Sequence, residues 1–512
     1  MDNASALYCA VGRQLLNVTA PSLVLGFISG CAGPPLGLPA GTQSPAVNGA
    51  FSPCETELTK TVPIEGDIEI TVLSLALYLP RSAAGPDCAS IASPDRPLVL
   101  LYHALGQDEF DYDALGLRLS SHGFVVASLQ HETQLNEAID FLDEEIGGFL
   151  SDDVALVGHS AGGDLMVRRR GQPAALGRSV RTMVLMAPRV SGDTVEPDYA
   201  LSGVDAFLGL HWRGDNDNAS WGRPSPAGGG VRRSVFRIYD RAGVDFDDPE
   251  TLGLSKHFVF FDYTQHNNQN RDGVVAYTTA FLRRHVLDDE SQDLYLKHMS
   301  PPPQLAAEHH PISQQHEEPG RVLLANFEED VNAAVYKGLF ERGVRLLPSP
   351  AGIIFAFSDP FSPHDLGVLR FRFDAQTEPE HSVAILLNQG VPTEGMNYLS
   401  FRITQEYHPE TSPTGGIIDF DIGIASLGDH FVDSEDYQRL AFPALAQNVM
   451  IAQTSEQVDG TKNAMRTYLI PLEDFDLGNP DFVQGVTFDF TDSGEPPGET
   501  IFITIDQVQL TE

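Results

Sequence analysis

A serine flanked by glycines is the strongest chemical signal in this 512-residue sequence. Ser160 stands in Gly158-His-Ser160-Ala-Gly162, directly after the apolar run Val154–Val157 and before a stretch that permits a helix. A buried strand that turns sharply into a helix needs glycines around the turn and leaves the central side chain at its tip. The pattern therefore predicts a nucleophile elbow with Ser160 as the attacking group. An ordinary glycine-rich loop is the alternative.

The segments around this motif alternate between strand-like and helix-like patterns. Pro97–His103 and Gly123–Leu129 are nearly continuous apolar runs, as in strands buried on both faces. Between them Tyr112–Ser121 has helical spacing, and a second helical pattern at Leu135–Leu142 leads into the serine motif. This βαβαβ order predicts an α/β fold with a parallel, doubly wound sheet, closed by a helix over Val274–His285.

Two runs near the serine motif resemble the α/β-hydrolase superfamily. They are Leu101-Tyr-His-Ala-Leu-Gly-Gln107 and Leu117-Arg-Leu-Ser-Ser-His-Gly-Phe-Val-Val126. They are most similar to the branch of dienelactone-hydrolase-like, platelet-activating-factor-acetylhydrolase-like and cutinase-type polyester hydrolases, and the resemblance covers roughly residues 60–288. It implies a doubly wound α/β-hydrolase sheet and a serine esterase that cleaves carboxylic esters through an acyl-enzyme, without a cofactor or a metal.

The same resemblance nominates the partners of Ser160, because the superfamily orders its triad as nucleophile, acid and histidine along the chain. Asp217 follows an apolar run and holds the fourth position of a G-x-x-D pattern, so it is the implied acid. His266 follows the last strand-like run and is the implied base. His266 would then accept the Ser160 proton while Asp217 orients the imidazole. The alternatives are Asp215 for the acid, and His257 and His285 for the base.

The oxyanion that forms during ester cleavage needs fixed N–H donors. One implied donor is the Ala161 N–H, at the start of the helix that follows the serine. The resemblance places the second donor at Leu105, with Ala104 as the alternative. The loop reads His-Ala-Leu-Gly here, whereas many lipases carry a His-Gly-Gly-Gly run. This difference argues against a preference for bulky triglycerides.

The N-terminus and the cysteines indicate export. Residues 1–31 contain an apolar run that suits a signal peptide and is too short to span a membrane. Ile28-Ser-Gly-Cys31 resembles a bacterial lipobox, which predicts a secreted protein or an outer-surface lipoprotein anchored to the membrane through a lipidated Cys31. Cys54 and Cys88 remain, and in an exported protein they would form one disulfide. Two free thiols in a cytosolic protein are the alternative.

Length and charge restrict the architecture and the partners. A chain of 512 residues predicts two or three domains. The composition divides it into the signal, a linker at 32–53, a catalytic domain at 54–290, a linker at 291–320 and an accessory domain at 321–512. The net charge of −39 argues against nucleic acid or an anionic membrane as the partner, because phosphate groups would be repelled.

The accessory domain has a different pattern. Stretches such as Leu369–Phe373 and Ile501–Ile505 alternate apolar and polar residues, which predicts an antiparallel β-sandwich. The domain resembles a carbohydrate-binding-type jelly roll, which implies a glycan or polymer surface as its partner. Although we predict no metal, the resemblance nominates Glu328 and Asp506 as the ligands of any structural Ca²⁺. Because this domain contains no tryptophan, a sugar platform would use Tyr398, Tyr407 or Tyr437. A packing or adhesion role is the alternative.

Two functions are compatible with these patterns. The first is a secreted or surface-anchored serine esterase that acts on a small or polymeric ester. The alternative is a non-catalytic surface-binding or adhesion protein that retains a hydrolase fold. The order Ser160, Asp217, His266 favours the enzyme. Residues 54–290 are expected to fold alone, because they contain the triad candidates, the oxyanion loop and a complete run of sheet elements. Residues 291–320 are proline-rich and polar, so their histidines are interpreted as linker residues, with a metal site as the alternative.

Overall fold

The computed structural model describes residues 44–512, with gaps at 65–67, 83–87, 89–90, 92–93, 130–134, 172, 174–176, 189–200, 213–237, 241, 244–251, 262, 264–268, 270, 298–310, 326–344, 349–352, 358–366, 375–380, 406–417, 426–428, 435–436, 438–444, 451–456, 462–464, 476–480 and 492–499. The signal-peptide and lipobox predictions for residues 1–31 therefore lie outside the described residues. In the described part, strand residues clearly outnumber helical residues.

Nine strands form the first sheet. They are β1 (Ser52–Ile64), β2 (Ile68–Arg81), β3 (Arg96–Tyr102), β4 (Val125–Leu129), β5 (Leu150–His159), β6 (Ser179–Met186), β7 (Ala206–Trp212), β8 (Ser255–Phe261) and β9 (Pro311–Glu317). Their spatial order is β1-β2-β4-β3-β5-β6-β7-β8-β9. The strands from β4 to β8 in this order pair in parallel. The pairs β1–β2, β2–β4 and β8–β9 are antiparallel.

Helices cover both faces of the parallel strands. The described α-helices are α1 (Asp113–Ser121), α2 (Leu135–Ile146), α3 (Ala161–Arg169), α4 (Asp272–Val286) and α5 (Asp293–Leu296). In β3, Leu98 and Leu100 belong to the same apolar core as residues of α2 and α3. Val99 and Leu101 belong to a second core, which includes residues of α1 and α4. Burial on both faces explains why these strands are continuous apolar runs.

The predicted doubly wound α/β sheet is wrong as a description of this fold. The sheet is mixed, because the antiparallel strands β1 and β2 extend one edge and the antiparallel strand β9 forms the other. Two further antiparallel sheets make the described chain mostly β. The apolar runs report only that a strand is covered on both faces, and they carry no information about the direction of its edge neighbours.

Strand β9 lies inside the stretch that was predicted to be a linker. Its sequence, Pro-Ile-Ser-Gln-Gln-His-Glu, lacks the apolar alternation that predicts a strand. Its polar side chains are nevertheless buried. Gln314 donates hydrogen bonds from Nε2 to the carbonyls of Tyr295, at 2.8 Å, and of Leu296. Residues 311–317 are therefore part of the first sheet and connect it to the C-terminal half.

The C-terminal half contains two antiparallel sheets and a two-stranded hairpin. The six-stranded sheet has the order β12-β13-β22-β15-β20, with β10 also paired to β22. The five-stranded sheet has the order β11-β14-β21-β16-β17. The strands are β10 (Val322–Ala325), β11 (Arg345–Pro348), β12 (Ile353–Phe357), β13 (Gly367–Asp374), β14 (Ser382–Pro392), β15 (Tyr398–Gln405), β16 (Asp421–Ala425), β17 (Asp429–Asp433), β18 (Leu445–Met450), β19 (Gln457–Thr461), β20 (Arg466–Pro471), β21 (Phe482–Asp489) and β22 (Thr500–Thr511). Phe401 from the six-stranded sheet and Phe488 from the five-stranded sheet pack edge to face in one shared apolar core. The predicted sandwich is therefore present.

The predicted disulfide is confirmed. Cys54 lies in β1 and is bonded to Cys88, with the two Cα atoms 5.7 Å apart. The bond closes a loop between the outermost strand of the first sheet and the segment after β2. It therefore anchors the edge of the sheet on which the chain enters the fold.

Candidate active site

Ser160 occupies a tight junction between β5 and α3. Its backbone has φ 51° and ψ −115°, a combination that residues other than glycine rarely adopt. The Ser160 N–H donates to the carbonyl of Met186 at 2.9 Å, which ties the turn to the end of the neighbouring strand β6. The Ser160 carbonyl accepts from the N–H of Gly163 at 3.0 Å, which begins the helix. The turn is held from both sides in its strained form.

The glycines of the motif are required by close backbone contacts. A Cβ on Gly158 would stand 2.6 Å from the carbonyl oxygen of Gly162. A Cβ on Gly162 would stand 2.5 Å from the carbonyl oxygen of Tyr102 and 2.7 Å from that of His103. Both distances are too short for any real side chain. The sharp return of the chain therefore depends on glycine, as the sequence pattern indicated, and it presses α3 against the end of β3.

The first of the two implied oxyanion donors lies at the start of α3. Ala161 is the first residue of the helix and is half-buried. Its N–H has no acceptor among the described residues, as expected for the first turn of a helix. The N-terminus of a helix also carries a partial positive charge. Ala161 can therefore donate to an anion that forms at the Ser160 side chain.

The second implied donor lies in the loop after β3. The Ala104 N–H already donates to the Tyr112 hydroxyl at 3.1 Å, so the alternative donor is occupied. The Leu105 N–H has no partner among the described residues. A turn closed by the Gln107 N–H and the Ala104 carbonyl at 3.1 Å shapes the loop, and Gly106 has φ +83°. The Leu105 N–H, the donor implied by the sequence, is therefore free to donate.

Asp217, its alternative Asp215 and His266 lie outside the described residues, so their positions are still predictions. The strands that lead to them are described. In the parallel register His159 pairs with Met186, Met186 pairs with Leu210, and Trp212 pairs with Phe261. The carboxyl ends of β5, β7 and β8 therefore lie on one edge of the sheet. The strands that precede the implied acid and base, β7 and β8, therefore end at the edge where Ser160 stands.

The alternative bases lie elsewhere. His257 pairs with Leu208, four residues before the end of β8 at Phe261, which is about 13 Å from the Ser160 edge at the rise of a strand. The His285 ring centroid lies 5.4 Å from that of His257. Burial, followed by the nearby His257, lowers the pKa of His285 well below its ordinary value. These positions do not support either histidine as the base for Ser160.

Trp212, at the end of β7, is completely buried. Its ring centroid lies 5.6 Å from that of His159, the residue before the nucleophile. This contact places Trp212 in the core beneath the elbow. Trp221 lies outside the described part of the chain.

Three side chains near the elbow were not found by sequence reasoning: Tyr112, Gln107 and His159. They form a hydrogen-bonded cluster with the Ala104 N–H, in which Tyr112 and His159 are buried and Gln107 is half-buried. The sequence placed Tyr112 at the start of a helical pattern, and nothing in its spacing marked the hydroxyl. Only the approach of the loop after β3 to the end of β5 brings these groups together.

The described residues offer no metal centre and no membrane span. They contain no group of three or more histidine, cysteine, aspartate or glutamate side chains that could hold a metal ion. Asp506, nominated for Ca²⁺, is fully buried and bonds to the Arg402 guanidinium, while Glu328 lies in one of the gaps. No helix in the described ranges is long and apolar enough to cross a membrane.

No protein-family model and no curated protein matches this chain. Membership of the α/β-hydrolase superfamily therefore stays a prediction. The function must be argued from the geometry at Ser160.

Proposed function

We propose that the chain is a serine esterase that cleaves carboxylic esters through an acyl-enzyme on Ser160. The strained backbone of Ser160 is the observation that carries the proposal. A serine at φ 51° costs of the order of 1–3 kcal/mol, and such strain persists mainly where function needs it. Here it places the serine beside a helix N-terminus and the loop that contains Leu105.

The proposed chemistry follows from the groups at this junction. The Ser160 hydroxyl oxygen attacks the acyl carbon while His266 accepts its proton and Asp217 orients the imidazole. The N–H groups of Ala161 and Leu105 stabilise the oxyanion of the tetrahedral intermediate. The ester C–O bond breaks, and the alcohol leaves with the proton from His266. Water then hydrolyses the acyl-serine by the same route and releases the acid.

We further propose that the enzyme works outside the cytoplasm. The Cys54–Cys88 disulfide supports this location, because disulfides persist in oxidising compartments. Secretion, or attachment through a lipidated Cys31, stays part of the proposal. The substrate would be a small or polymeric carboxylic ester.

Binding of a glycan or polymer by the C-terminal sandwich has less support. Tyr398 is half-buried, and so is Tyr437, whose hydroxyl donates to Asp474. Tyr407 lies in a gap. Neither described tyrosine offers a fully exposed ring as a sugar platform, so this role is only a prediction.

The test is labelling of the full chain with a fluorophosphonate, together with turnover of p-nitrophenyl acetate. Ser160→Ala should abolish labelling and lower kcat at least about 10⁴-fold, because no other group can form the acyl bond. Ser120→Ala is the matched control. Ser120 is also a buried serine, but its hydroxyl donates only to the Leu117 carbonyl, so this variant should keep both activities.

Two results would contradict the proposal. Undiminished turnover in a folded Ser160→Ala variant would remove Ser160 as the nucleophile. A folded full-length chain that neither labels nor turns over several short-chain esters would favour the non-catalytic binding protein instead.

A further inference from the structure

A single buried hydroxyl joins the loop after β3 to the residue before the nucleophile. The Tyr112 hydroxyl lies 2.6 Å from Gln107 Oε1, 2.7 Å from His159 Nδ1 and 3.1 Å from the Ala104 backbone nitrogen. Tyr112 is fully buried, and its ring meets the His159 ring edge to face at a centroid distance of 6.0 Å. Three partners from two separate segments therefore converge on one oxygen.

The donors and acceptors around the Tyr112 hydroxyl follow from its three contacts. A tyrosine hydroxyl has one hydrogen to donate and two lone pairs. It accepts from the Ala104 N–H and donates to Gln107 Oε1, so His159 must donate to it from Nδ1. The second contact of His159 Nδ1, 3.3 Å from Gln107 Oε1, agrees with a proton on that nitrogen. The hydroxyl is saturated and fixes the tautomer of the residue next to Ser160.

Burial keeps the proton on the Tyr112 hydroxyl. It raises the pKa of the Tyr112 hydroxyl far above its ordinary value, and the hydrogen bond from Ala104 opposes the shift only in part. The hydroxyl therefore stays protonated wherever the protein is folded.

We propose that Tyr112 is a positioning residue that sets the oxyanion hole, because its hydroxyl holds the Ala104 N–H and His159 together. By occupying the Ala104 N–H it removes that group as the second donor, while the Leu105 N–H stays free. By holding His159 it fixes that loop relative to Ser160. The inference rests on the proposed esterase function, and Tyr112 itself touches no reacting atom.

The test is Tyr112→Phe in the full chain, with p-nitrophenyl acetate as substrate. The variant should lower kcat by about tenfold to a hundredfold with KM within twofold, because a misplaced donor weakens only the interactions made in the transition state. The rate of fluorophosphonate labelling should fall in parallel, since the phosphonyl oxygen uses the same donors.

Tyr277→Phe is the matched control. Tyr277 is also a buried tyrosine, but its hydroxyl contacts Gln314 Oε1 at 3.4 Å, in the contact between α4 and β9. This variant should show wild-type kcat and KM.

If Tyr112→Phe does not fold, Gln107→Leu gives the same information, because Gln107 is only half-buried and its loss frees the Tyr112 hydrogen. We expect a smaller fall in kcat, again with KM unchanged.

The failures of the two proposals can be told apart. A wild-type chain that does not label at Ser160 would refute the esterase. A wild-type chain that labels, together with a folded Tyr112→Phe or Gln107→Leu variant of unchanged kcat, would refute the positioning role alone. A change confined to KM would also refute it.

Discussion

At the scale of single residues, the elbow combines a strained serine with glycines that cannot be replaced. Ser160 is held at positive φ by the Met186 carbonyl and by the start of α3. Gly158 and Gly162 allow backbone atoms to approach more closely than any side chain would permit. The strain is local, so its cost can be measured separately from the chemistry.

Ser160→Gly should be more stable than Ser160→Ala by about 1 kcal/mol, because glycine adopts this positive φ without the steric penalty of a Cβ atom. The measurement is urea unfolding of the two variants side by side. Both lack the hydroxyl, so the comparison isolates the backbone. If the two variants proved equally stable, the turn would not be strained.

At the scale of elements, β9 shows that a polar segment can be a buried strand. It pairs with β8 within the sheet and also bonds to the sandwich at and just before β20. The His316 N–H donates to Thr467 Oγ1 at 3.2 Å, and the Ser313 hydroxyl donates to the Met465 carbonyl just before β20. Burial of polar side chains is tolerated where each finds a partner.

The same strand predicts a dependence of stability on pH. His316 faces His257, Glu318, Lys297 and Glu317, and burial, followed by the charge on His257, lowers the pKa of His316 to about 3. The unfolded chain takes up this proton below its ordinary pKa of about 6.5, whereas the folded chain does not. Stability is therefore lost as the pH falls from 6.5 towards 3.

His316→Gln should reduce this loss. Between pH 7.5 and pH 5, the free energy of unfolding of the variant should fall by about 1–2 kcal/mol less than that of the wild type, as measured by urea unfolding at both pH values. The difference between the two pH values is the readout, so a uniform loss of packing does not interfere. An identical pH dependence in the two proteins would mean that the pKa of His316 is the same in the folded and the unfolded chain.

At the scale of the whole molecule, a buried cluster of charges joins the first sheet to the sandwich. Three cations and three carboxylates take part: Lys256, Arg321, Arg402, Asp240, Glu317 and Asp506. Arg402 on β15 lies 3.0 Å from Asp240, and Lys256 on β8 lies 3.2 Å from Glu317. Burial lowers the pKa of Lys256, and Glu317 opposes that shift. These charges are paired across the two halves, and independent folding of residues 54–290 stays a prediction.

Arg402→Met should destabilise the protein by about 3–5 kcal/mol, because Asp240 and Asp506 lose their cation in a buried site. Trp212 and Trp221 are the only tryptophans and both precede the sandwich, so their fluorescence reports unfolding of the first half. The urea midpoint by fluorescence should fall although the substitution lies in the sandwich.

Lys60→Met is the control for Arg402→Met. Its partner Glu144 lies 3.3 Å away in an exposed pair, so the loss should stay below about 1 kcal/mol. If Arg402→Met shifted the circular dichroism midpoint but left the fluorescence midpoint unchanged, the two halves would unfold independently.

Local patterns in the sequence determined the strand before Ser160, the helix after it, the apolar runs of β3 and β4, the alternation of the sandwich strands and the cysteines available for a disulfide. Each depends on neighbouring residues, or on a count of one residue type. The mixed sheet, the strand β9, the Tyr112 cluster and the buried charges depended on tertiary structure. Arg402 and Asp240, for example, are 162 residues apart in the chain. The packing of distant elements brings such partners together. The local sequence around a polar residue does not show whether its side chain will be hydrated or will pair with a buried charge.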